Sequence, residues 1–260
     1  MELGTAWANY VKRLSRIDSA ATKAIGEFID KFANFSFENP NHMRLLILEA
    51  QAVSSTYGEA AATLACEMYD AIGLASGKLL DPAMPAELLE ELIDKGDIIY
   101  KTVYGAAKTQ NPKEVSSAVG RLVKKVGVDT VLENAKRDRA EVAWVPSGDT
   151  CAFCIALASR GWRDADSSYQ DHIHSNCDCT LATRFNSKTS IKGYDPRKYE
   201  DMYYGADLDG EAPTAKNRIN ALRREFYAKS KEEINENKRI NYAERKERLN
   251  SSAAEETNVN

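Results

Sequence analysis

Four of the five cysteines, Cys151, Cys154, Cys177 and Cys179, and two of the three histidines, His172 and His174, fall in one short window, while Cys66 stands alone in an apolar helical pattern. The window reads Cys151-Ala-Phe-Cys154, then 19 residues, then His174-Ser-Asn-Cys177-Asp-Cys179. A Cys-x-x-Cys pair on a tight turn can aim two sulfurs at one ion, and His-x-x-Cys or Cys-x-Cys can supply a second pair. Together they make the tetrahedral sulfur/nitrogen shell that zinc prefers. Five candidate ligands compete for four places: Cys151 and Cys154 form the first pair, His174 with Cys177 is the preferred second, and Cys177 with Cys179 is the alternative. An odd, low cysteine count argues against a secreted disulfide framework. A Cys151–Cys154 redox pair without metal, or unconnected buried thiols, are the other readings.

A catalytic zinc keeps a coordination position open for water, with a carboxylate nearby to move protons, whereas four Cys/His ligands close the shell. The expectation is therefore a structural zinc and no enzymatic activity. The zinc-deaminase pattern fails, because Thr150 precedes Cys151 and neither His42 nor Cys66 has Glu two residues on. Asp171-His172-Ile173, with Asn186 downstream, looks like the opening of an HNH nuclease motif. No His follows His174 to complete such a metal site, and Asp195-Pro196 stands where it would fall. A zinc-binding nucleic-acid-binding module, or an HNH-like nuclease, is the alternative function.

The elements that would position this window are mainly helical. Trp7, Val11, Leu14, Ala21, Ile25, Phe28 and Phe32 recur at three- and four-residue steps interrupted by Asp18, and make one apolar stripe. After a break at Asn34 to Pro40, a second stripe runs from Leu46 to Ile72 and ends near Gly73 and Gly77. A turn at Asp81 to Pro85 leads to a third helix, Leu88 to Tyr104, weakened by Gly96. Pro112 suits the first turn of a fourth, and a fifth segment spans Val128 to Val142. No alternating strand set is evident before residue 143. From Trp144 the texture changes, and Asp195-Pro196 and Tyr203-Tyr204-Gly205 read as loop. The predicted architecture is mainly α: a helical domain over 1–142, a small zinc-stapled α+β module over 143–183, a polar linker over 184–213, a basic helix over 214–250 and a disordered tail over 251–260.

The 260 residues carry a formal net charge of −4, so the chain is no bulk polyanion binder, and a nucleic-acid contact must come from a local basic patch. The span 214–250 is such a patch. Arg223, Arg224, Lys238, Arg239, Arg245, Lys246 and Arg248 can meet DNA phosphates in a salt-dependent way, or equally form an ordinary solvated helix with internal ion pairs. No apolar run approaches the roughly 18 residues that span a bilayer, and Met1 to Tyr10 lacks the basic and apolar regions of a secretory signal, so a soluble cytosolic protein without membrane contact is expected. Collagen-like, low-complexity and disulfide-rich classes are excluded.

The string Trp144-Val-Pro-Ser-Gly-Asp-Thr-Cys151-Ala-Phe-Cys154-Ile-Ala-Leu-Ala-Ser-Arg160-Gly161 resembles the core of phage minor capsid proteins of the MuF-like head-morphogenesis family. One branch of that family carries Pro-(Ser/Thr)-Gly, Thr-Cys-x-x-Cys and Leu-Ala-Ser-Arg-Gly. The ending His174-Ser-Asn-Cys177-Asp-Cys179 is similar to its His-x-x-Cys-x-Cys, although Ser175 stands where Pro or a turn residue is usual. The likeness covers Glu133 to Thr180. It implies a structural protein inside the virion capsid, present in the host cytoplasm during assembly, with the portal protein and other capsid proteins as partners and possible contact with packaged DNA.

Overall fold

The computed structural model describes residues 4–94, 96–147, 150–165 and 179–232. Five helices build the body: α1 (Gly4–Asp30), α2 (Pro40–Ala75), α3 (Glu87–Asp94), α4 (Asp97–Ala107) and α5 (Pro112–Arg137). A three-stranded antiparallel sheet of order β2-β1-β3 follows, made of β1 (Glu141–Val145), β2 (Arg163–Asp164) and β3 (Thr180–Arg184). The short helix α6 (Ala152–Ala158) lies between β1 and β2, and α7 (Pro196–Tyr204) and α8 (215–232) come after β3. The mainly helical class is as expected from the sequence.

Three helices begin with one device, an Asx residue followed by Pro. Asn39 accepts from the backbone N–H groups of Asn41 (2.9 Å) and His42 (3.4 Å), Asn111 from Lys113 (3.0 Å), and Asp195 from Arg197 (3.0 Å). Each side chain satisfies an otherwise orphaned donor, and the proline behind it has its ring-fixed φ already set for a helix. Asp195-Pro196 is thus a helix start and not a loop, and Tyr203 and Tyr204 are the last residues of α7.

Three further differences from the sequence reading have plain causes. The predicted third helix is two, because Gly96 takes a left-handed φ of 62° and turns the chain between α3 and α4. The predicted fourth and fifth segments are one helix, α5, which ends at Arg137. The strand β1 begins at Glu141, three residues before the expected change of texture at Trp144. Val142 to Val145 are all buried, so this strand has no polar alternation to reveal it.

The helix α5 is the hub, with buried residues on every side from Val115 to Ala135. Its glycines let neighbours approach closely. A Cβ on Gly120 would collide with the side chains of Thr22 and Asp18 on α1, and one on Gly127 would meet Leu14 at 3.2 Å and the Ala61 carbonyl at 3.4 Å. The buried Tyr10 hydroxyl donates to the Gly127 carbonyl at 3.4 Å. A single apolar core runs from Trp7 on α1 through α5 and the sheet, where Trp144 and Leu181 lie, to Leu222 on α8. The span 184–213, read as a polar linker, contains α7 and places Ile191, Tyr194, Tyr199 and Ala206 in that core.

Replacing Gly120 by Val forces α1 away from α5. Overpacking of this kind costs about 1–3 kcal/mol, so the urea midpoint of Gly120→Val should fall, while Gly105→Ala, at a helical site with open space around it, should hold or raise it.

Candidate metal centre

Pairing of β1 with β3 sets Val145 opposite Thr180, so Cys179 sits at the end of the sheet from which the chain leaves through Pro146 toward Cys151. Cys151 is the N-cap of α6. It has extended backbone angles (φ −75°, ψ 163°), and its sulfur accepts the backbone N–H of Cys154 at 3.3 Å. That contact does for α6 what Asn and Asp oxygens do for α2, α5 and α7, and it turns Cys154 back toward Cys151. The two Sγ atoms lie 3.4 Å apart. A disulfide needs about 2.05 Å. Two sulfurs on one tetrahedral zinc, each about 2.3 Å from the ion, sit about 3.8 Å apart. The pair therefore fits the ion within a few tenths of an ångström as it stands. Cys154 is buried and Cys151 half-buried, so the ion would rest at the edge of the core.

Cys179, the third predicted ligand inside the described residues, is buried at 1% exposure. Its near neighbour is α7: burial first, and then the Cys179 thiol, push the Tyr199 hydroxyl above its ordinary value. His174 and Cys177 lie outside the described residues, as do Asp171 and His172. Among the described residues no group of three or more His, Cys, Asp or Glu side chains converges. The structure thus brings Cys151 and Cys154 together and does not gather Cys179 with them into a three-residue donor group. Asn186, the other half of the nuclease-like pattern, holds a turn: its side-chain oxygen accepts from the Lys188 N–H and the Thr189 hydroxyl, both at 3.1 Å.

What packs around the far end of α6 was not read from the sequence. The buried Tyr194 donates its hydroxyl to the Ala158 carbonyl at 3.0 Å, closing the C-terminal end of α6. Its ring lies edge-on to Trp162, with centroids 6.2 Å apart, and 6.0 Å from Tyr199 on α7. Gly161 permits this by turning the chain at φ 65° directly after α6. These contacts fasten α7 over α6 and leave a cleft lined by Arg160, Arg163, Arg184 and Arg197. The Asp195-Pro196 start of α7 was the available signal.

Residues 1–206 match the family model described as VG15 protein. No curated protein and no solved structure matches the chain. No helix among the described residues is long and apolar enough to cross a membrane.

Cys66 supplies an internal reference thiol. Burial, and next the carboxylate of Asp70, push it up to about 11. Its thiolate population, and with it the alkylation rate by iodoacetamide, should still be climbing between pH 9 and 11, where an ordinary thiol near 8.5 has levelled off. Peptide-resolved mass spectrometry of the alkylated chain would read this, and a plateau below pH 9 would contradict the environment described for Cys66.

Proposed function

We propose, from the premise that the chain belongs to the VG15 protein family, a viral and phage family, that it is a minor capsid protein of head morphogenesis. In this reading it acts inside the capsid, with the portal and other capsid proteins as partners and no enzymatic activity of its own. Cys151 and Cys154, with two of His174, Cys177 and Cys179, hold a structural zinc. The ion's contribution is a crosslink between the segment entering α6 and the segment entering β3.

The observation that carries the reading is the Cys151–Cys154 pair at the start of α6, with its 3.4 Å sulfur separation. It lies within the Pro-Ser-Gly…Thr-Cys-x-x-Cys…Leu-Ala-Ser-Arg-Gly string that resembles the MuF-like proteins. A second observation supports contact with packaged DNA. On α8, Ala221 and Leu222 are buried and Phe226 half-buried, whereas 227–232 are all exposed. The basic helix is thus rooted in the core by its first turns and leaves the body after Phe226, presenting Arg223, Arg224, Lys229 and Lys231 to solvent.

Purified chain should contain about one zinc, and Cys151→Ser should lose it together with part of the thermal stability. Wild-type protein without zinc, alongside a Cys151→Ser variant of unchanged melting temperature, would remove the structural-metal assignment. Duplex-DNA binding, if the arm makes it, should weaken with salt. Arg223→Ala combined with Lys238→Ala should then lower the log–log salt slope by about two, one for each phosphate contact. An unchanged slope would dismiss the arm as a DNA contact.

A further inference from the structure

The cleft beside α6 is a site in its own right. It has a volume of about 540 Å³ and is bounded by the C-terminal end of α6, β2, β3, α7 and the first turns of α8. Four guanidinium groups line it, each delivered by a different segment: Arg160 follows α6, Arg163 lies on β2, Arg184 on β3 and Arg197 on α7. Glu200 is the carboxylate in its lining.

These arginines are not equivalent. Arg184 is already neutralised and locked: its Nε donates to Glu141 at 2.8 Å, Nη1 reaches the Ser187 carbonyl at 3.4 Å, and its guanidinium lies 4.7 Å over the Trp162 ring. Arg163 Nε donates to the Arg160 carbonyl at 3.1 Å, which orders it without cancelling its charge. Among the described residues no carboxylate forms an ion pair with Arg160, Arg163 or Arg197. With Glu200 counted against these three, the cleft holds an excess of about two positive charges in a concave wall, where field lines concentrate.

We propose that this cleft is a phosphate-binding site, in which Arg160, Arg163 and Arg197 take the oxygens of one phosphoryl group or of adjacent phosphodiesters. Guanidinium forks arriving from separate elements suit a tetrahedral oxyanion that accepts from several directions. A lone carboxylate offers one charge and one plane. A phosphate near pH 7 carries about −1.5 to −2, which matches the excess. The aromatic walls argue that the site reads charge and not base. The Trp162 ring carries Arg184, and the Tyr203 and Tyr204 rings lie 5.8 and 5.0 Å from the Arg218 guanidinium, so these faces are engaged by cations instead of standing ready for stacking. The assignment is independent of the virion reading and uses none of the residues proposed for zinc.

The test uses the full chain and four probes: inorganic phosphate, a labelled duplex 20-mer, the same single strand, and a hexaglutamate peptide. At low salt the duplex should bind, and Arg160→Ala/Arg197→Ala should weaken it at least 10-fold, with circular dichroism unchanged because both side chains are exposed. Arg160→Lys/Arg197→Lys should recover only part of the loss, since the fork is gone. Glu200→Gln should tighten binding two- to threefold, a gain that misfolding does not produce. Competition by millimolar phosphate identifies a single-phosphoryl site, and binding by oligonucleotides with no competition identifies adjacent phosphodiesters; either supports the assignment. Hexaglutamate binding as tightly as the oligonucleotides, absence of binding by the wild type, or equal binding by the double alanine variant would overturn it.

Discussion

A helix surrounded on all sides sets the terms for everything around it, and α5 is that helix. Buried positions recur around its circumference, so a polar group placed at one of them costs free energy unless it is hydrogen-bonded. The helix meets this by using polar residues to anchor the segment between α2 and α3. The Thr130 hydroxyl accepts from the Ala86 N–H at 3.1 Å. Asn134 accepts from the Met84 N–H at 3.0 Å and donates to the Met84 carbonyl at 2.7 Å. Glu133 accepts from the Glu87 N–H at 3.1 Å, at the first turn of α3, and burial raises this carboxyl above its usual range. A stretch that reads as a plain turn in the sequence is thereby fastened to α5, with Ala86 buried and Met84 left exposed. The small residues Gly120 and Gly127 complete the arrangement by letting α1 and α2 reach the α5 backbone.

The far end of α5 governs how the sheet is attached. Arg137 donates to the Asp81 and Pro82 carbonyls, both at 3.0 Å, and to both oxygens of Asp138. Asp138 in turn accepts the Tyr69 hydroxyl at 3.0 Å. The Arg137 guanidinium holds the Asp138 carboxyl below its ordinary range. One helix turn thus ties α2, the α2–α3 segment and the start of β1 together. Arg139 at φ 53° then redirects the chain into Glu141. Because β1 leaves a fixed point, Trp144 enters the core in a set register, and the segment leading to Cys151 starts from a defined place.

The helical stripes were legible because burial on one face of α1 and α2 leaves a 3.6-residue period that no local effect disguises. Two kinds of feature were not. Buried strands such as β1 show no alternation, and a helix as short as α7 shows too few turns for a period, so the Asx-Pro start was its only mark. The Cys-x-x-Cys proximity was legible from spacing alone, since a three-residue step at a helix start brings the two sulfurs to one side. The tyrosine contacts of Tyr194 and Tyr199 were not, because they join residues about 40 apart from α6 and depend on where Gly161 sends the chain. The arginine cleft was hidden for the same reason. Arg160, Arg163, Arg184 and Arg197 belong to four segments, and only the fold makes them one surface.

The continuity of the core also bears on what a metal at Cys151 and Cys154 would do. A free-standing zinc module has little apolar interior, and the ion supplies most of its folding free energy, about 10 kcal/mol or more. Here Trp144, Ile155, Leu157 and Leu181 are fully buried in the same core as Leu14 and Ile25 of α1. Hydrophobic burial already fixes β1, α6 and β3 against the helical body. An ion bound by the cysteine pair would then act locally, restraining the approach to α6 against the approach to β3 and leaving the body's cooperativity to α5. Since α6 also forms one wall of the arginine cleft, the ion and the cleft would share an element: whatever orders Cys151 orders the helix that presents Arg160.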